Sequence, residues 1–238
     1  MLKRVLIGLA VLIVVGVALF GFLLYPELQK AASEDPAVWE EDIAALEAAT
    51  AGLHPPGEGI VFIGSSSIRL WSTLAEDMSP LPVIQHGFGG AKLNDVVVYA
   101  ERLVNAYRPR AVVVFVGTND IDPNASKEPA VLLASYQAFV AKVRKDQPDL
   151  PILYIGITPS PLRWAVWDIA VETNRLITAY SDSDPNLHFI DTSPGLLGPD
   201  GEPIREHYIF DGLHLSESGY AVWTSIIRPR LEAVLNER

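Results

Sequence analysis

Apolar positions along this chain fall into three regimes. From Val5 to Tyr25 they run without a charge or a strongly polar side chain. As a helix rising about 1.5 Å per residue, such a run reaches across a bilayer core of about 30 Å. Between residues 33 and 50 the spacing turns helical and amphipathic: Val38, Ile43 and Leu46 recur with acidic residues between them, Ser33 or Asp35 can cap, and Pro36 suits a first turn. A turn-rich joint at 52–59, with Pro55-Pro56 inside it, closes this second regime. Short β-branched runs then alternate with longer helical patterns. The runs at 60–63, 83–85, 111–116, 152–157 and 187–190 lack in/out alternation, which marks strands covered on both faces of a parallel sheet. Helical periodicity fills 67–78, 93–107, 129–146, 162–181 and 216–236. Alternating β and α units predict a three-layer α/β/α sandwich on a mostly parallel five-stranded sheet.

The first regime predicts an N-terminal transmembrane helix. Lys3 and Arg4 precede it and no comparable basic cluster follows, so the positive-inside rule keeps the N-terminus cytoplasmic and places the remainder on the periplasmic or extracellular side. The alternative is secretion after signal-peptide cleavage. Against it, such peptides carry apolar regions of about 7–15 residues ending at a small-x-small site. Here the only small pair nearby, Ala31-Ala32, has Lys30 where a small residue belongs. The expected organisation is a signal anchor over 1–30 contacting the membrane through residues 5–25, a helical linker over 31–57, and one folded domain over 58–238.

Composition narrows the chemistry. There is no cysteine, which removes disulfides, thiolate metal sites and cysteine nucleophiles together. The net charge of −11 repels phosphate backbones, and no basic cluster interleaved with aromatics offsets it, so nucleic acid is not an expected partner. The histidines outside the C-terminal motif (54, 86, 188 and 207) show no ligand spacing, and no metal site is expected.

Three separate stretches hold the parts of a hydrolytic site. Ser66 follows the run 60–63 and opens a helical stretch, where a serine hydroxyl can face solvent at a strand-to-helix junction; Gly64 permits the turn. Ser65, Ser66 or Ser67 could equally be a plain helix N-cap. Asn119 lies in Gly117-Thr118-Asn119-Asp120 after the most hydrophobic strand. Its amide can donate to a developing oxyanion alongside the N–H groups of Ser66 and of the glycine loop 87–90, or the stretch is an ordinary turn. Asp211 and His214 sit three residues apart, close enough for the carboxylate to orient the imidazole and the imidazole to take a serine proton. A dinucleotide or P-loop reading fails on glycine spacing, and the Gly-x-Ser-x-Gly elbow is absent because Ile68 stands where the second glycine belongs.

In combination and order these stretches resemble the SGNH/GDSL esterase and lipase family over residues 58–236. The first block, Gly-Asp-Ser, matches Gly64-Ser65-Ser66; the second-block glycine matches Gly90; Gly-x-Asn-Asp is intact at 117–120 and Asp-x-x-His at 211–214. Ser65 stands where the family has aspartate. The resemblance implies a flavodoxin-like fold, a Ser66–His214–Asp211 triad, an oxyanion hole of Ser66, Gly90 and Asn119, and hydrolysis of small-molecule, lipid or glycan esters without cofactor. A catalytically silent binding domain, or an acyltransferase with a sugar acceptor, would use the same residues. Arg69, Trp71, Trp164 and Trp167, with Arg163, are candidates for the mouth of the site, although helical tryptophans also serve as packing.

Overall fold

The computed structural model describes Tyr25 and residues 27–237. Its centre is one sheet of β1 (Ile60–Gly64), β2 (Val83–Gly87), β3 (Ala111–Phe115), β4 (Ile152–Ile155) and β5 (Leu187–Ile190). The order is β2-β1-β3-β4-β5 and every neighbouring pair is parallel. Around it stand α1 (Glu40–Thr50), α2 (Ser66–Arg69), α3 (Leu74–Asp77), α4 (Leu93–Leu103), α5 (Pro129–Val143), α6 (Trp167–Ser181), α7 (Ser193–Leu196) and α8 (Glu217–Asn236). Alternate residues of the central strands supply two cores. Val61, Ile63, Val112 and Val114 pack with α1, α4, α5 and α6, whereas Phe62, Val113, Phe115 and Leu153 pack with the short helices and α8. That is the expected three-layer sandwich, and it explains why the strands carry no polar face.

Register positions the site. Gly64 at the end of β1 lies opposite Gly87 of β2 and Phe115 of β3, so three post-strand loops begin level with one another. Ligands in open α/β sheets sit at this carboxyl edge. Gly64 tolerates no side chain: a Cβ there would stand 1.9 Å from the Phe115 carbonyl oxygen.

Two expected helices differ in their course. The pattern at 67–78 is not one helix but α2 and α3, separated at Trp71 to Thr73. The Thr73 hydroxyl bonds the Asp77 carboxylate at 2.7 Å instead of extending a helix, a competition typical of hydroxyl side chains. The break also turns Trp71 inward. The pattern at 162–181 opens as a 3₁₀ turn, Pro161–Val166, before α6.

Of the expected span at 5–25, only Tyr25 falls among the described residues. Among those residues no helix is long and apolar enough to cross a membrane. The segment expected as a linker packs onto the domain. Asp35 caps the turn Pro36–Trp39 by accepting the Ala37 N–H, and Trp39 and Ile43 join the core. At the end of α1, Thr50 meets the buried imidazole of His86 at 3.0 Å, and the opposite ring nitrogen lies 2.6 Å from the Leu103 carbonyl.

Burial holds the His86 pKa down to about 4, against a weaker upward pull from the Leu103 carbonyl. The unfolded state therefore binds a proton that the folded state refuses between about pH 6.5 and 4. The stability due to neutral His86 is complete above pH 6.5 and is lost as pH falls through that window, by about 3 kcal/mol. Urea unfolding at pH 7 and pH 4.5 should show this loss, and His86→Phe should flatten it. An equal slope in the variant would assign the acid sensitivity elsewhere.

Candidate active site

Ser66 opens α2. Ser65 occupies the N-cap position without a side-chain cap bond; its amide donates to the Phe115 carbonyl at 3.0 Å and its carbonyl receives the amides of Ile68 and Arg69. Backbone bonding thus fixes the turn, and the Ser66 hydroxyl is left for another partner. The hydroxyl of Tyr220 donates to the Ser67 carbonyl at 2.9 Å, tying α2 to α8.

That partner comes from the loop before α8. One Asp211 oxygen receives the amides of Leu213 at 2.9 Å and His214 at 3.1 Å. Gly212 has φ +69°, a left-handed turn that glycine adopts freely, and its carbonyl receives the Leu162 amide at 2.9 Å. Arg205 donates to the carbonyls of Ile209 and Phe210, and the Tyr208 hydroxyl donates to the Pro159 carbonyl. Held in this way, His214 has Nδ1 2.6 Å from the second Asp211 oxygen and Nε2 2.8 Å from Ser66 Oγ. Burial raises the Asp211 carboxyl, but the bonds from His214 and the two amides outweigh it and hold the group below its usual range. A carboxylate can only accept, so Nδ1 carries the proton and Nε2 is left to accept from the Ser66 hydroxyl.

Asn119 enters from the turn Thr118–Asp120 after β3. One of its amide hydrogens goes to the Ala91 carbonyl at 3.0 Å, and the other remains for a ligand. Beside it, buried Asp120 receives the Leu93 amide at 2.9 Å and Lys127 at 2.9 Å. These adjacent bonds stitch the loop after β3 to the glycine loop after β2. Burial pushes the Asp120 carboxyl up, and Lys127 and the Leu93 amide only partly oppose it. Ser66 and Asn119 line one small cavity of about 10 Å³ with Thr118, Thr158, Ser160 and Leu213.

The structure therefore brings Ser66, His214 and Asp211 into one hydrogen-bonded chain with Asn119 at the same cavity. Gly90 has φ +82°, a Cβ there would lie 2.7 Å from Ala31 Cβ, and its side of the site is not part of the lining of the small cavity.

The expected mouth residues divide. Trp71 does not line the mouth: it is fully buried against Phe62, Tyr220 and Trp223 and donates to Asp77 at 2.6 Å. Arg69 is exposed and lies against Gly89, outside the lining of the Ser66 cavity. Trp164 and Trp167 are half-buried and stacked on each other at 6.0 Å. Trp167 and Arg163 line a small apolar space behind Thr118 and Thr158, whereas Trp164 does not line it. Thr158 and Ser160 lie in the loop after β4, at the same carboxyl edge of the sheet, and nothing in their spacing singles them out in the sequence. Sequence also gave no sign of an ion-pair network around Glu34. Its carboxylate is gripped by Lys92 at 2.5 Å and Lys127 at 2.9 Å.

Comparison with known proteins places this geometry. The sequence profile of the GDSL-like lipase/acylhydrolase family matches residues 50–222, and the chain belongs to that family. It is a carboxylic ester hydrolase. The platelet-activating factor acetylhydrolase IB subunit alpha1 of Rattus norvegicus is 34% identical over 173 residues, covering 68% of this chain and 69% of the relative. The Homo sapiens counterpart is 32% identical over 173 residues, covering 68% and 70%. Among solved structures, a GDSL-like lipase from Bacteroides thetaiotaomicron superposes with a TM-score of 0.68 at 19% identity, covering 80% of this chain and 97% of its own, a likeness of fold.

Proposed function

We propose that the chain is a membrane-anchored serine esterase that removes a short acyl group, acetyl above all, from an alcohol. The carrying observation is the continuous chain from Asp211 through His214 to Ser66, at 2.6 and 2.8 Å. In this reading Ser66 Oγ attacks the ester carbonyl while His214 Nε2 takes its proton, and Asp211 holds the imidazolium that forms. The oxyanion is held by the amides of Ser66 and Gly90 and the free amide hydrogen of Asn119. His214 then returns the proton to the leaving alcohol, and water releases the acyl group by the same steps in reverse order. The acetyl preference is supported by the cavity of about 10 Å³ at Ser66, room for about one water-sized group. The relatives named acetylhydrolases point the same way.

The anchored placement of the domain over 58–238, outside the cytoplasm, rests on the apolar run at 5–25 and the flanking Lys3 and Arg4. Membrane fractionation of the full chain, with protease protection, tests it; secretion as a shortened soluble protein would refute it.

A fluorophosphonate probe tests the chemistry. Stoichiometric labelling at Ser66, blocked by Ser66→Ala, is the expected result, and an unlabelled protein would overturn the nucleophile assignment. Asn119→Ala is expected to lower kcat for p-nitrophenyl acetate about 10²–10³-fold, the usual loss for one oxyanion donor. An unchanged kcat would remove Asn119 from the oxyanion hole.

A further inference from the structure

Asn119 borders a second space. It also lines a cleft of about 390 Å³ that Ser66 does not line, within the size range of small-molecule sites. An ester straddles its nucleophile, so its acyl and alcohol halves need separate room. The space at Ser66 is small, about 10 Å³, and the cleft is the roomier of the two.

We propose that this cleft is the subsite for the alcohol half of the ester, walled by residues 31–34, and that it takes a hydroxyl-rich alcohol, a sugar or polyol, in preference to an alkyl chain. The inference deepens the acyl-transfer reading above and rests on it.

The lining argues for hydroxyls. Three cations, Lys92, Lys127 and Arg163, face three carboxylates, Glu34, Asp120 and Asp122. They are matched in pairs: Lys92 with Glu34, Lys127 with Glu34 and Asp120, and Arg163 with Asp122 at 2.6 Å. Paired charges leave little net field to draw in an ionic alcohol. Glu34, Asp122, Lys127 and Arg163 are partly exposed and still have unused donors or lone pairs to offer a ligand. An alkyl chain would strip water from these groups and return no hydrogen bond, whereas hydroxyls replace the water one for one.

The wall is built by a segment that precedes the family-matched region, which starts at residue 50. Ala31 and Ala32 face the cleft, and Ala31 packs on Gly90. Lys92 bonds the Ser33 carbonyl at 2.7 Å as well as Glu34, so the segment is latched beside the site.

The test compares two acetates of similar size on the full chain in detergent: methyl 6-O-acetylglucoside and n-hexyl acetate. The sugar ester should show the higher kcat/KM by about tenfold or more, the worth of one or two hydrogen bonds to charged groups. Arg163→Met and Glu34→Gln should each lower the sugar-to-hexyl ratio by about tenfold, mainly through KM for the sugar ester. Equal or better turnover of hexyl acetate by the unaltered protein overturns the proposal, as does a ratio that neither variant changes while circular dichroism remains native. Turnover of p-nitrophenyl acetate and probe labelling of Ser66 in the same preparation separate the two readings. If both are present while the ratio is reversed, only the subsite falls; if both are absent, the acyl-transfer reading falls and takes the subsite with it.

Discussion

Replacing Ser66 with alanine is expected to lower kcat for p-nitrophenyl acetate by about 10⁴-fold or more, leaving only what oxyanion donors and binding supply. The Ser66 hydroxyl is spent on no cap, and its side-chain partner is His214 at 2.8 Å. Alanine keeps the helical backbone of α2 and removes one oxygen from a partly exposed position, so the unfolding midpoint in urea should hardly move. Turnover and unfolding measured on one preparation decide the matter. Full activity in Ser66→Ala would mean that another hydroxyl, such as Ser65 or Ser67, attacks the ester.

Asp211→Asn is expected to cost about as much, near 10⁴-fold in kcat, although no atom that touches substrate changes. The reason is a conflict of donors. One Asp211 oxygen receives the amides of Leu213 and His214, and the other faces His214 Nδ1 at 2.6 Å. Asparagine has one acceptor and one donor for these two places. If its oxygen keeps the backbone amides, its NH₂ faces Nδ1 and drives the imidazole proton to Nε2. His214 would then donate toward Ser66 rather than accept from it. If the amide flips, its NH₂ points at two N–H groups and the turn around Gly212 is lost. The first outcome predicts a native fold with a dead site, and probe labelling of Ser66 slowed in parallel with kcat. Labelling at the unaltered rate would show that His214 is held by something other than Asp211.

Much of this site was legible before the fold. Gly-x-Asn-Asp and Asp-x-x-His are local motifs, and the apolar runs before residues 64 and 117 put their loops at strand ends. The resemblance then joined them in one order. The mouth was read less well. Trp71 is a candidate both for the mouth and for helical packing on a pattern that scans as one helix over 67–78; with the break before α3 its ring lies in the core beside Trp223, the packing alternative. Such a break depends on what the helix packs against, which periodicity does not report. Gly90, matched by its place in the motif order, is found packed against Ala31 in a segment thought to be a linker.

Periodicity alone was enough to settle the number of strands and their parallel burial, and motif spacing marked the short stretches that the resemblance then joined. These properties are local, because a strand covered on both faces must be apolar throughout and a carboxylate three residues from a histidine can reach it unaided. Distances across the chain belong to packing. The meeting of Ser66 and His214, 148 residues apart, depends on the register of β1 against its neighbours and on Tyr220 tying α8 to α2. The same holds for Glu34, which lies 58 residues from Lys92 and joins it only because α1 and the turn before it settle onto the sheet through Trp39 and Ile43.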